Sequence, residues 1–424
     1  MVSSSSSDGP ATAETVVQVL SYNTALQALH GLPQDLVDWL EPSLDVSNFL
    51  SRHRSVDIFA VGFQELLPLH IGLSGFAGPV IDDRAALLKA QIEAHAPAKD
   101  SYTLVAKVVN VGVALLLYAR DAGIARRIHD VQTAWTGTGP AYMGNKGAVA
   151  IRFRVEADDG SLGEVYTFVC AHLTAHAPKL ASRLADYAHI TRTLLFAPLP
   201  GRPAAARTTL YDTSHLFFLG DLNFRLQSPP QTDLPAALDA LSEREALREH
   251  DQLTMERRKG TVFQGLHEGR FWEFKPTYKY ALGEVDKYNL GRMPAWTDRV
   301  LYATYHDEAN TPDEQTAVKN ILYTSVPSYT FSDHKPIIAL LLLPPPSPPP
   351  DGSVPTLRLP PSFHPTPDVL ARPKRFLGRT LDRLIGLLWW ALVVLGAGSA
   401  AIGVGNFVLG LGAGVWAWWR RRPA

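Results

Sequence analysis

Eight short runs of Val, Ile, Leu and aromatic residues recur along the first 343 residues, several of them apolar from end to end. They read TVVQVLSYN, VDIFAVGFQ, YTLVAKVVNVGVALLLYAR, AVAIRFRV, EVYTFVCAHL, HLFFLGDLN, RVLYATY and PIIALLLL. A strand that does not alternate with polar residues has no solvated face, so both of its faces must be covered. Only three helical patterns accompany them, DRAALLKAQIEAH, KLASRLADYAHITRTLLF and LPAALDALSEREALREH. Many doubly covered strands with few helices predict two packed β-sheets flanked by helices, a four-layer α-β-β-α sandwich. This body is expected over residues 15–343, after a Ser-rich disordered lead-in at 1–14 that lacks signal-peptide patterning.

The ends of the runs carry the chemistry. In HLFFLGDLNFRL the apolar strand stops at Gly220, and Asp221 and Asn223 follow two residues apart. Taken alone, Gly, Asp and Asn spell a turn. The same thing happens elsewhere. Asn23 ends VVQVLSYN, Glu65 follows DIFAVGFQ, and His172 follows VYTFVCA. Asp298 opens the DRVLY run, and Asp333 with His334 precede KPIIALLLL. Rigid strands presenting acids, amides and imidazoles at their ends are how a catalytic site is commonly built. Glu and Asn oxygens suit a hard cation such as Mg2+, while Asp and His suit water activation and phosphoryl contact.

Other classes fall away on composition. The lone cysteine, Cys170, is not followed by an arginine six residues later, which removes a cysteine-nucleophile phosphatase, and it also rules out an intramolecular disulfide or a Cys-rich zinc site. From residue 351 onward nine Arg or Lys stand against three Asp, a net of +6, so the whole-chain charge of −1 leaves about −7 (−1 − 6) on the first 350 residues. An acidic body argues against nucleic acid as partner.

In order along the chain, SYN, VGFQEL, NKGAVAIRF, FVCAHLTAH, FFLGDLNFRL, FKPTYKY, PAWTDRVLY and FSDHKPI resemble the motif series of the inositol polyphosphate 5-phosphatases, within the Mg2+-dependent endonuclease/exonuclease/phosphatase superfamily. The resemblance spans about residues 16–343. It implies that Glu65 and Asn23 hold Mg2+, that Asp221 is the general base with Asn223 orienting the water, and that His172 contacts phosphate and is held by Asp298. It further implies that His334, beside Asp333, binds the scissile phosphate; whether Asp333 meets a second metal stays open. Asn145 and Lys146, with Tyr278, Lys279 and Arg292, are implied substrate contacts. Leu290 stands where the family has a lysine, which weakens the 4-phosphate cradle; Lys287 reads as a solvated loop charge. The implied reaction is removal of the 5-phosphate from phosphatidylinositol 4,5-bisphosphate. The alternatives are soluble inositol polyphosphates, trisphosphate lipid, or another phosphodiesterase or nuclease of the superfamily.

Beyond the body, residues 344–373 hold twelve prolines. They are expected to form an extended linker that could dock a polyproline-binding domain. Residues 374–424 contain a stretch of 35 residues without charge, 385–419, flanked by arginines and bordered by tryptophans. About 20 such residues span a bilayer, so this segment is expected to be a membrane anchor, as one pass or as a hairpin, with a monomeric catalytic body in the cytosol. A 5-phosphatase body with such a tail resembles the tail-anchored family members of the yeast endoplasmic reticulum, which implies that membrane.

Overall fold

The computed structural model describes residues 14–26, 39, 55–96, 99–200, 207–227, 234–289, 291–347, 349 and 351–396. Leu290 and most of the expected anchor lie outside them.

Among the described residues there are twelve strands and seven α-helices. They run β1 Thr15–Asn23, β2 Ile58–Gln64, α1 Leu69–Ser74, α2 Gly78–His95, β3 Tyr102–Asn110, β4 Val113–Arg120, β5 Ile128–Gly137, β6 Gly147–Val155 and β7 Glu164–His172. There follow α3 Leu180–Thr193, β8 His215–Asp221, α4 Leu234–Asp239, α5 Leu241–Leu247, α6 Gln252–Arg258, β9 His267–Glu268, β10 Asp298–Thr304, β11 Lys319–Ser325, β12 Ile337–Leu343 and α7 Ala371–Val394. One six-stranded sheet has the order β11-β12-β1-β2-β4-β3, the other β5-β6-β7-β8-β10-β9. Both are mixed, since β1–β2 and β7–β8 are parallel and the remaining pairs antiparallel.

The predicted layers follow from which core each residue joins. Along β1, Val17 and Val19 meet Phe217 and Leu219 of β8 in the core between the sheets. Their neighbours Leu20 and Tyr22 instead join Ile81, Leu88 and Ile92 of α2. Leu216 and Phe218 likewise join Tyr187 and Ile190 of α3. Successive side chains point to opposite faces of a strand, so an uninterrupted apolar run serves two cores at once.

Three strands escaped the sequence reading. β5 and β11 are edge strands, β9 is two residues long, and edges carry polar residues because one side meets water. The long run at 102–120 is a hairpin of β3 and β4 turning at Val111 and Gly112. The third helical pattern breaks at Ala240, whose extended backbone separates α4 from α5.

Among the described residues, the proline-rich segment forms no helix or strand before α7 begins at Ala371, yet it is held down. Ser347 N donates to Tyr305 Oη at 2.8 Å, Leu357 N to Thr213 O, and Ser214 Oγ to Pro355 O at 2.7 Å. Leu357, Leu359 and Phe363 pack on the α3-side core. The segment ends at Asp368, whose N–H donates to Arg192 O just before α7 begins. Among the described residues, no helix is long and apolar enough to cross a membrane.

Candidate active site

Strand register alone brings three of the predicted residues to one level. His172 at the end of β7 pairs with Asp221 at the end of β8, and Asp221 pairs with Asp298 at the start of β10. The neighbouring sheet ends beside them. β1 finishes at Asn23 opposite Gln64 of β2, and Asn23 Nδ2 donates to Asp221 Oδ2 at 3.0 Å, joining the two sheets across the site. Gly220 sets the spacing. Its φ of +137° is glycine territory, and a Cβ there would lie 2.0 Å from Ala171 O.

Backbone strain marks the two residues beyond the strand ends. Glu65 and Asn223 adopt left-handed φ of 49° and 58°. Asparagine tolerates this region; for glutamate it costs on the order of 1–3 kcal/mol, a strain that collects at functional sites. Asn223 is locked by its N–H to Asp221 Oδ1 at 3.1 Å and by its Nδ2 to Leu173 O at 3.1 Å. Glu65 is half-exposed, with Oε1 3.7 Å from His172 Nε2 and 4.0 Å from Lys146 Nζ.

The histidines divide the acids differently from the expectation. Asp298 does not hold His172. Its Oδ2 accepts from Thr277 Oγ1 at 2.6 Å and Thr297 Oγ1 at 2.9 Å, and lies 2.9 Å from His334 Nδ1. His172 Nε2 instead lies 3.2 Å from Asp221 Oδ2, and the Lys146 ammonium rests against the same ring. The cause is position: His334 comes from the segment leading into β12, beside the start of β10, whereas His172 sits one strand past Asp221. Asp333 binds Lys279 Nζ at 2.6 Å.

These pairings fix the charges. Burial works against a charged His334, but Asp298 and Asp221, the hydrogen bond to Asp298, and Asp333 together raise it to about 9. Burial and the nearby Lys146 ammonium lower His172 and keep its ring neutral. Burial also works to raise Asp221, yet His334, His172 and Lys146 hold it well below the usual carboxylate range. The site therefore pairs one cationic imidazole with one permanently ionised carboxylate.

The oxygen donors fit a hard divalent ion. Asp221, Asp298 and His334 bring ligand atoms within 4.8 Å of one another, but His334 Nδ1 is engaged by Asp298. The Glu65 carboxylate is half-exposed beside His172, whereas both Asp221 oxygens already accept hydrogen bonds, Oδ2 from Asn23 Nδ2 and Oδ1 from the Asn223 N–H. Asn23 Oδ1 accepts from Ala25 N at 3.1 Å, which leaves its second lone pair for a cation.

Of the predicted substrate contacts, Asn145 and Lys146 sit on the β5–β6 loop, where Asn145 Oδ1 is buried with no hydrogen-bond partner among the described residues. The Tyr278 ring packs 4.6 Å from His334. Arg292 is exposed, near enough to Lys279 to depress it, against the stronger pull of Asp333. Lys287 is exposed, as read from the sequence. The sequence reading passed over Arg225. It is buried, grips the Asn223 side chain and lies 4.3 Å over the Tyr278 ring, linking the water-side motif to the substrate-side motif. Its position inside FFLGDLNFRL was the available signal.

Residues 20–340 match the family described as Endonuclease/Exonuclease/phosphatase family 2. Human synaptojanin-1 is 32% identical over 73% of the chain, and human phosphatidylinositol 4,5-bisphosphate 5-phosphatase A is 33% identical over 56%. The chain spans only 20% and 23% of their respective lengths. The crystal structure of the inositol polyphosphate 5-phosphatase domain of SPsynaptojanin, in complex with inositol (1,4)-bisphosphate and calcium ion, superposes with a TM-score of 0.60 at 24% identity, over 90% of this chain and 93% of that one.

Proposed function

The chain belongs to the endonuclease/exonuclease/phosphatase family 2, among its inositol polyphosphate 5-phosphatases, and on that premise we propose that it is a Mg2+-dependent phosphoric monoester hydrolase acting on the 5-phosphate of phosphatidylinositol 4,5-bisphosphate. The observation that carries this reading is the Asp221, His172, Asp298 and His334 constellation at the common edge of two sheets. The inositol (1,4)-bisphosphate bound to the SPsynaptojanin domain is what remains when inositol 1,4,5-trisphosphate loses its 5-phosphate.

Glu65 and Asn23 would hold the Mg2+, and the ion when bound would neutralise charge on the phosphoryl oxygens. His334, fixed by Asp298, directs Nε2 at the phosphate as a cationic donor. Asp221 accepts the proton of the attacking water. Its low basicity makes that transfer late, when the forming O–P bond has already acidified the water. Asn223, pinned in its left-handed conformation, orients that water. The unpartnered Asn145 oxygen is placed to accept from an inositol hydroxyl, and Lys279 with Arg292 to receive the 4-phosphate.

A lipid substrate is supported by the rim. Leu282, Val285, Met293 and Phe331 are exposed apolar side chains on the loops that carry Lys279, Arg292 and His334, and Gly283 N–H to Thr330 O ties those loops together. The uncharged 385–419 stretch between basic flanks supports work on the cytosolic face of a membrane. The resemblance favours that of the endoplasmic reticulum.

The full chain should release inorganic phosphate from phosphatidylinositol 4,5-bisphosphate vesicles in Mg2+ and none in EDTA. Cleavage of DNA with no phosphate release from any 5-phosphorylated inositide would end the reading. The pH profile is a second check. A protonated His334 is required, so kcat/KM should fall as pH rises through about 9. Asp298→Asn removes the carboxylate that keeps the ring protonated, and the alkaline limb should move to lower pH. An unmoved limb would remove His334 from the role of cationic donor.

A further inference from the structure

Helix α7 begins at Ala371, beyond the family match, which ends at residue 340, yet it packs directly on two loops that carry the site. One is the β5–β6 loop. Asp382, 1% exposed, accepts the Gly144 N–H with both carboxylate oxygens, each at 3.1 Å. Gly144 immediately precedes Asn145 and Lys146. The chain around it is tight: Thr138 N–H donates to Lys146 O at 2.9 Å, and a Cβ on Gly144 would meet Asn110 Nδ2 at 2.7 Å. Arg379 holds that same Asn110 through Oδ1 at 3.1 Å while lying 3.8 Å over the Trp135 ring of β5.

The other is the segment after Glu65. Arg383 donates to Leu73 O at 2.7 Å at the end of α1, the helix that follows Glu65 by four residues. The contact is close enough to need small residues. A Cβ on Gly386 would stand 2.3 Å from Ser74 N, and one on Gly378 1.9 Å from Tyr142 O. The buried residues of α7, Ala371, Gly378, Asp382 and Gly386, form one stripe along the helix.

We propose that Asp382 is a positioning residue for the active site, fixing through the Gly144 amide the loop that presents Asn145 and Lys146, and that α7 is a working part of the catalytic unit. A buried carboxylate is a costly group to keep for packing alone. Here it satisfies a backbone N–H of the one loop that carries an ammonium against His172. Displacing such a loop by about 1 Å can cost on the order of a hundredfold in rate. The activity arm of the test rests on the phosphatase reading; the exchange arm does not.

The test uses the full chain with soluble inositol 1,4,5-trisphosphate, so that loss of membrane tethering cannot lower the rate, and follows amide exchange at residues 144–146. Asp382→Ala should lose about ten- to a hundredfold in kcat with a smaller change in KM, and its Gly144–Lys146 amides should exchange faster. Asp382→Asn, whose amide oxygen still accepts the Gly144 N–H, should recover most of both. Gly386→Val wedges α7 off at a different point, should give the same pair of effects, and decides the matter if Asp382→Ala does not fold. An Asp382→Ala enzyme with wild-type kcat and unchanged exchange overturns the proposal. If the wild-type chain releases no phosphate, the functional reading falls, while unchanged exchange in both variants would still refute the clamp.

Discussion

Asp221→Asn is expected to lower phosphate release by about a thousandfold or more while leaving the chain folded. Positioned general-base catalysis is worth on the order of 10²–10⁴, and the replacement removes more than the base. Two histidines, a lysine and an asparagine are arranged around this carboxylate. With its charge gone, His334 loses one of the three acids that raise it and gives up its proton at lower pH. Lys146, whose ammonium Asp221 and Glu65 support against burial, is also left less charged. The amide is isosteric, and its oxygen can still accept the Asn223 N–H. The amide nitrogen, however, meets Asn23 Nδ2, which also donates. One poorly made buried hydrogen bond costs about 1–3 kcal/mol, too little to unfold a body of this size. Single-turnover phosphate release alongside thermal unfolding separates the two effects. A variant that keeps a tenth of the wild-type rate would deny Asp221 the role of base.

The sequence was most informative where a strand end carried a polar residue. Register, which follows from burying both faces, then did the rest: His172, Asp221 and Asp298 could hardly be strand-end neighbours without meeting. What could not be read was which imidazole each acid would take. Both choices use the same residues at the same strand ends, and they differ only in the path of the segment before β12 that brings His334 beside Thr277 and Thr297. Edge strands β5 and β11 were missed because half-solvated strands look like loops in composition. α7 was obscured for another reason. Its sequence runs from a basic flank into an uncharged stretch, and the eye follows hydropathy. The stripe of Gly378, Asp382 and Gly386 at spacings of four was in plain sight. A small residue, an acid and a small residue in one stripe is the pattern of a helix face that presses against backbone.

The same distinction separates the two halves of PAWTDR, and the second large effect is expected there. Asp298 faces the site, while Arg299 is fully buried and serves the fold. Its guanidinium forks onto Glu268 at 2.6 and 2.7 Å, reaches Asp251 Oδ1 at 3.0 Å and lies 3.7 Å over the Phe271 ring. Asp251 in turn caps α6 through the Thr254 N–H at 2.9 Å. One residue thus joins β10, β9 and α6. Burial works against its charge, but Asp251 and Glu268 keep it a cation. Arg299→Met should cost about 3–5 kcal/mol, because it leaves two buried carboxylates with too little compensation. Glu268 already has its pKa raised, burial being the main cause. Without Arg299 it should rise further, so the neutral acid becomes the form that folds. A folded pKa above the unfolded one stabilises at low pH and loses that contribution as pH rises. The deficit of Arg299→Met should therefore be largest near neutral pH and shrink toward the ordinary carboxylate range. Adding Glu268→Met should return part of the loss, as replacement of buried ion pairs by apolar groups does. Chemical denaturation at pH 5 and pH 7.5, with kcat measured on the folded fraction, gives both readings. A deficit independent of pH would mean that Arg299 stabilises by packing on Phe271 rather than by charge. A folded variant with kcat reduced as far as in Asp221→Asn would mean that the arginine belongs to the site after all.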